Sequence, residues 1–255
     1  MLAMLAACNQ SSQPDAAAVQ DKGMTYASLA ELPDWSGWWT AAEGSSPAQL
    51  WIDNADLFQP AARERVNAAL VPNANLSATG LYCRQFRFVG DNGGAIEDVE
   101  FLFTPGRLTI TNESGLLRRI ALDGSKLRDD PEPSNGGTSV GQWQADTLLV
   151  QTIGLHGDAI FPAPIPGGPL LGEGASVNER IRLLAPGKLE VQTEIIAPAM
   201  LKSPLKFTTV YRRDQNHVNR DLDLCADHDR SIDPATGLQR FDLSPPADLP
   251  PPPGA

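Results

Sequence analysis

Positive charge, histidine and cysteine are all scarce in this chain. Lysine and arginine number 20 against 31 aspartates and glutamates, a formal net charge of −11 over 255 residues. A surface of that sign repels nucleic-acid phosphates, so no nucleic-acid partner is expected. It repels anionic lipid headgroups too, which excludes membrane docking by charge alone. The three histidines, His156, His217 and His228, lie apart in the sequence, each reading as an exposed or capping residue. No phosphate-cradling loop occurs either: Gly90-Asp91-Asn92-Gly93-Gly94 joins strands and opens no helix. No cofactor and no metal are expected.

Turn-forming residues, in contrast, are plentiful. Twenty-two glycines and 22 prolines cut the chain into short segments, as all-β folds require. With 42% hydrophobic and 20% charged residues, the chain is globular and long enough to bury a core. The central stretch, Gly141–Thr152, reads as two strands about a tight turn, with Trp143 anchoring the first and Leu148 and Val150 facing one way on the second. Around it the pattern predicts strands at Leu81–Val89, Val99–Thr104, Arg107–Asn112, Leu116–Leu122, Ser139–Gln144, Thr147–Ile153, Ser176–Leu184, Lys188–Ile196 and Leu205–Arg213. Asp56–Leu70 is the one helix, with Asp56 as its cap and Pro60 in the first turn.

No helix separates successive strands, so parallel crossovers are not expected. The fold class is mainly β: an antiparallel meander forming a barrel or strongly curled sheet, with one short N-terminal helix. Gly37-Trp38-Trp39 at the first strand resembles the opening of lipocalin-like (calycin) barrels. The expected division is residues 1–8 as a lipoprotein signal remnant, 9–30 as a flexible tether, 31–243 as a single β-domain and 244–255 as a proline-rich tail.

The start of the chain carries an address. Leu5-Ala6-Ala7-Cys8 resembles the lipobox of bacterial lipoproteins, which implies lipidation at Cys8 and a membrane partner through that anchor. Asn9 in the following position implies the periplasmic side of the outer membrane. Cys83 and Cys225 then sit in an oxidising compartment and are expected to pair; two buried free thiols are the alternative. A bridge between them would add about 4–5 kcal/mol on the loop-entropy treatment.

Several constellations invite chemistry. Gly137-Thr138-Ser139-Val140-Gly141 spells the nucleophile-elbow pattern, with Asp158 or Asp223 and His228 following in order. That motif works on a strand–turn–helix, whereas a tryptophan strand follows here, so Ser139 reads as an ordinary strand residue. The Asp221–Asp233 run lacks the glycine and glutamate of a calcium loop. Gly157–Gly174 is long and apolar, and reads either as a lid over a barrel mouth or as a loop pinned to the sheet.

Strand alternation yields the sharpest expectation. In Ser176–Leu184, Glu179 shares a face with Val177, Ile181 and Leu183; in Leu116–Leu122, Arg118 shares one with Ile120 and Leu122. A charge buried alone is costly, so Glu179 and Arg118 are expected to be partners. The same counting puts Trp39, Trp143 and Tyr211 in their cavity. The pair reads as a structural ion pair or as part of a ligand site.

Phe101–Ile110, Leu117–Ile120 with Asp123-Gly124, Gly137–Leu149 and Asn178-Glu179-Arg180 resemble, in this order, a broad family of exported bacterial β-rich proteins. The resemblance runs from about Tyr82 to Arg230 and includes cysteines near both ends. It implies export and a β-rich fold, and transfers no activity. The family favours histidine where this chain has Thr138, Gly-Asp where it has Ala145-Asp146, and a further histidine near Gly172–Ser176. Any metal or proton role of those histidines is therefore lost here. The function expected is binding of a small apolar or amphipathic ligand by a lipid-anchored envelope barrel. The alternatives are a periplasmic hydrolase, lyase or isomerase using carboxylate and arginine, and an envelope scaffold.

Overall fold

The computed structural model describes residues 22–43, 53–69, 98–112, 117–134, 136–157, 171–218, 230–232 and 239–241. Cys8, Cys83, Cys225, the expected strand Leu81–Val89, most of the apolar loop and the proline-rich tail lie outside these residues.

Nine strands close into a barrel in chain order: β1 (Trp38–Glu43), β2 (Val99–Thr104), β3 (Arg107–Thr111), β4 (Leu117–Ala121), β5 (Thr138–Gln144), β6 (Thr147–Ile153), β7 (Ser176–Ala185), β8 (Lys188–Ile196) and β9 (Leu205–Asp214). A separate hairpin pairs β10 (Arg230–Ile232) with β11 (Gln239–Phe241). The barrel expectation holds, but the purely antiparallel meander does not, because β4 and β5 run parallel. Closure explains why. Directions alternate around an all-antiparallel ring only when its strand number is even, so a ring of nine must contain a parallel neighbour. The long irregular stretch after β4 makes the return, held at Ser134 by a bridge to Leu155. Among the described residues two ladders are short: β4–β5 has the pairs Ile120↔Ser139 and Ala121↔Val140, and β1–β2 has Trp38↔Glu100 and Trp39↔Val99.

Alternation sorts the barrel wall. In β8 every second residue, Leu189, Val191, Thr193 and Ile195, is buried. One apolar cluster gathers Trp39, Phe101, Leu108, Ile120, Leu148, Ile181, Leu189 and Tyr211; a second gathers Val177, Ile195 and Leu205 with Phe58, Met200 and Leu201.

Both clusters include side chains from outside the strands. Of the residues read as tether, 9–30, the described ones begin at 22, and Lys22–Met24 touch the barrel. The Gly106 N–H donates to Gly23 O at 3.0 Å, and Lys22 Nζ lies 5.4 Å from the Trp143 ring centroid. This segment carries no apolar periodicity because a backbone hydrogen bond holds it. Trp35 follows and is 1% exposed within the first cluster. Beside it, Ser36's hydroxyl and N–H, and then Arg213, hold the Asp34 carboxyl below its ordinary range.

On the other cluster, the expected single helix is a 3-10 turn, Ala55–Leu57, followed by helix α1 (Pro60–Ala69). Asp56 therefore caps nothing: Phe58 breaks the helix ahead of Pro60 by bridging to Leu201, and the Gln59 N–H donates to Met200 O at 2.8 Å.

The β5–β6 turn requires a left-handed residue. Ala145 sits at φ 53, the left-handed region that two-residue hairpins demand and L side chains resist. Ala145→Gly is expected to raise the unfolding free energy by about 1 kcal/mol. Urea denaturation checks it; a loss of stability would mean the turn is not held in this conformation.

Candidate functional site

The barrel interior holds a polar centre between its two apolar clusters. Four successive strands each supply one member: Arg118 from β4, Ser139 from β5, Thr152 from β6 and Glu179 from β7. Arg118 is 5% exposed and Glu179 1%. The guanidinium grips the carboxylate by both ends, Nη1 to Oε1 at 3.0 Å and Nη2 to Oε2 at 2.5 Å. Nη2 also donates to Thr152 Oγ1 at 2.9 Å and to Ser139 Oγ at 3.4 Å, and the two hydroxyls bond each other at 2.8 Å. Buried Thr193 on β8 and Thr209 on β9 extend the polar belt.

Charge-assisted, two-pronged bonds of this kind are the strongest available to arginine and fix its plane. They leave one donor over. Arg118 Nε is buried and has no partner. An unmet buried N–H costs free energy, so this group has unused capacity for an acceptor.

The three expected aromatic residues fall in one cluster, on the far side of the polar belt from Phe58. Trp39 is fully buried, its Nε1 donating to Trp35 O at 2.9 Å and its ring carrying Arg213 at 4.9 Å. Tyr211 is 2% exposed, while Trp143 is half-buried. Trp35, Phe103 and Trp143 form a triangle of rings with centroids 5.4–6.2 Å apart. The indole N–H groups of Trp35 and Trp143 are buried without partners as well.

The side chains around Gly141 are closely packed. A Cβ added at Gly141 would lie 2.7 Å from Leu122 Cδ2 and 3.0 Å from Ile120 Cγ2. The open grooves described on the barrel, of about 340, 520 and 590 Å³, are lined by none of Arg118, Glu179, Trp39, Trp143 or Tyr211.

The glycines of the elbow-like pattern now have structural reasons. Gly141 makes room for Leu122 and Ile120, and Gly137, at φ +63, faces Ile153 O at 2.6 Å from where a Cβ would stand. Ser139 lies within a strand, 5% exposed, its hydroxyl shared between Arg118 and Thr152. It has neither the sharp turn nor the following helix that a nucleophile elbow needs.

Sequence reasoning missed a second polar group. His217, read as an exposed or capping residue, is only 10% exposed; its Nδ1 lies 2.8 Å from Asp98 Oδ2 and 3.8 Å from Asp214 Oδ2. Its ring stacks on Trp38 at 4.2 Å. More than a hundred residues separate Asp98 from the other two, so no local spacing betrays the group.

No protein-family model and no curated protein sequence match the chain. Among solved structures it is similar to the wild-type fluorescent protein UnaG, at 15% identity and a TM-score of 0.31, over 71% of this chain and 97% of that one. A point mutant of UnaG matches at 15% identity and the same TM-score, over 70% and 95%. The barrel described here rests on this chain's own strand pairing.

Proposed function

We propose that this protein is a lipid-anchored envelope barrel that binds a small amphipathic molecule. On this reading Cys8 carries the anchor on the periplasmic side of the outer membrane. The ligand sets its polar end at Arg118 and its apolar body against Trp39, Trp143 and Tyr211. The observation that carries the reading is the unpartnered Arg118 Nε, a buried donor inside the barrel. Arg118 is 5% exposed, so a molecule reaching it must part buried side chains, and binding is coupled to a local opening.

Retention of a co-purifying small molecule tests this. Protein taken from its own membranes is expected to show an added mass in native mass spectrometry. Arg118→Lys keeps a positive charge for Glu179 but removes the Nε–H and the planar fork, and is expected to lose that mass while staying folded. If the wild-type protein carries no ligand and, once delipidated, takes up no fluorescent amphiphile, the reading fails. The enzyme alternative gains no support from Ser139, whose hydroxyl is already engaged.

A further inference from the structure

We propose that Asp98, Asp214 and His217 form a binding site for a divalent transition cation of the zinc class, on the outer face where the barrel closes. The strands bring the ligands together. Trp38 on β1 pairs with Asp214 of β9 on one side and with Glu100 of β2 on the other. Asp98, just before β2, and His217, just after β9, therefore meet over Trp38. One atom from each residue, an imidazole nitrogen and two carboxylate oxygens, lies within 4.8 Å of the other two.

The geometry is prepared from outside the cluster. The Thr40 hydroxyl donates to Asp98 Oδ1 at 2.5 Å, and the Asn216 N–H donates to Asp214 Oδ1 at 2.8 Å. Each carboxylate thus has one oxygen held by the protein and the other, Oδ2, turned toward His217 Nδ1. Trp38, stacked at 19° between planes, fixes the imidazole. Outer partners that orient the donors in this way are what distinguish a metal site from a chance meeting of acids. In a chain of net charge −11, two converging carboxylates also call for a cation between them.

The donor set selects the ion. One nitrogen and two oxygens suit zinc and its neighbours, whereas calcium and magnesium take oxygen ligands. Three protein ligands leave at least one coordination position for water. On binding, any hydrogen on Nδ1 leaves to solvent and the nitrogen lone pair goes to the metal.

Titration of zinc chloride into the metal-stripped full-length protein tests the site. The expected result is one zinc bound per chain by calorimetry, a change in tryptophan emission and a rise in Tm. His217→Gln and Asp214→Asn should each weaken zinc binding at least tenfold. Asp214 is 32% exposed, so its variant keeps the fold even if Asp98→Asn does not. Trp38→Phe should remove most of the emission change and leave the stoichiometry at one. Absence of saturable binding would overturn the proposal, showing the imidazole alone to serve the two carboxylates. Zinc binding that survives both His217→Gln and Asp214→Asn would overturn it equally, by placing the ion on other residues.

Discussion

Glu179→Gln and Arg118→Met are each expected to lower the unfolding free energy by about 3–5 kcal/mol, because each leaves an uncompensated charge inside the barrel. The two are not equivalent. Glu179→Gln strands a guanidinium that still reaches Ser139 and Thr152, whereas Arg118→Met strands a carboxylate that has lost both guanidinium donors. The arginine variant should therefore be the worse. Changing both at once, Arg118→Met with Glu179→Leu, is expected to recover most of the loss, since a well-packed apolar pair often equals a buried ion pair. Urea unfolding of wild type, the two single variants and the double variant checks both the losses and the recovery. Single variants within about 0.5 kcal/mol of wild type would mean that water reaches the pair, contrary to its burial.

Removing the Trp35 side chain is the other large effect. Trp35→Ala is expected to cost about 3–5 kcal/mol, the usual range for deleting a buried tryptophan. Trp35 is held against Phe101, Phe103 and Trp143, with the Phe101 contact edge-on at 5.5 Å, and these rings lose their neighbour together. The Trp39 indole keeps its acceptor, which is a backbone carbonyl and survives the change. The loss thus reports on packing alone. The remaining tryptophans should shift to longer emission wavelengths as water enters. A loss below about 1 kcal/mol would show that the segment carrying Trp35 is not what closes this part of the barrel.

What could be read from the sequence was whatever repeats every two residues within one strand. Val99–Thr104, Thr147–Ile153 and Lys188–Ile196 have the expected limits to the residue. The meeting of Arg118 with Glu179 followed from the same period, because each stood alone among aliphatic residues on an inward face. Properties of the closed ring were not available in that way. The parallel β4–β5 pair follows from the strand number, which no local window contains. His217 meets Asp98 only because the first strand pairs with the last. The end of the stretch read as tether, 9–30, meets the barrel at Gly23 through a main-chain bond from Gly106, which has no side-chain signature.

The two short ladders give the wall a division of labour. Between β1–β2 and β4–β5 they mark off a three-stranded leaf, β2 to β4, from a six-stranded one, β5 to β9 with β1. Among the described residues each joint has two paired positions, the fewest along the ring. Each is also fastened by side chains. Arg118 reaches across one joint to Ser139, Thr152 and Glu179; across the other, Asp98 is held by Thr40 and His217. The small leaf thus carries a polar link on either edge. Swinging it outward would also part Phe101 and Phe103 of β2 from Trp35, so the ring contacts resist that motion.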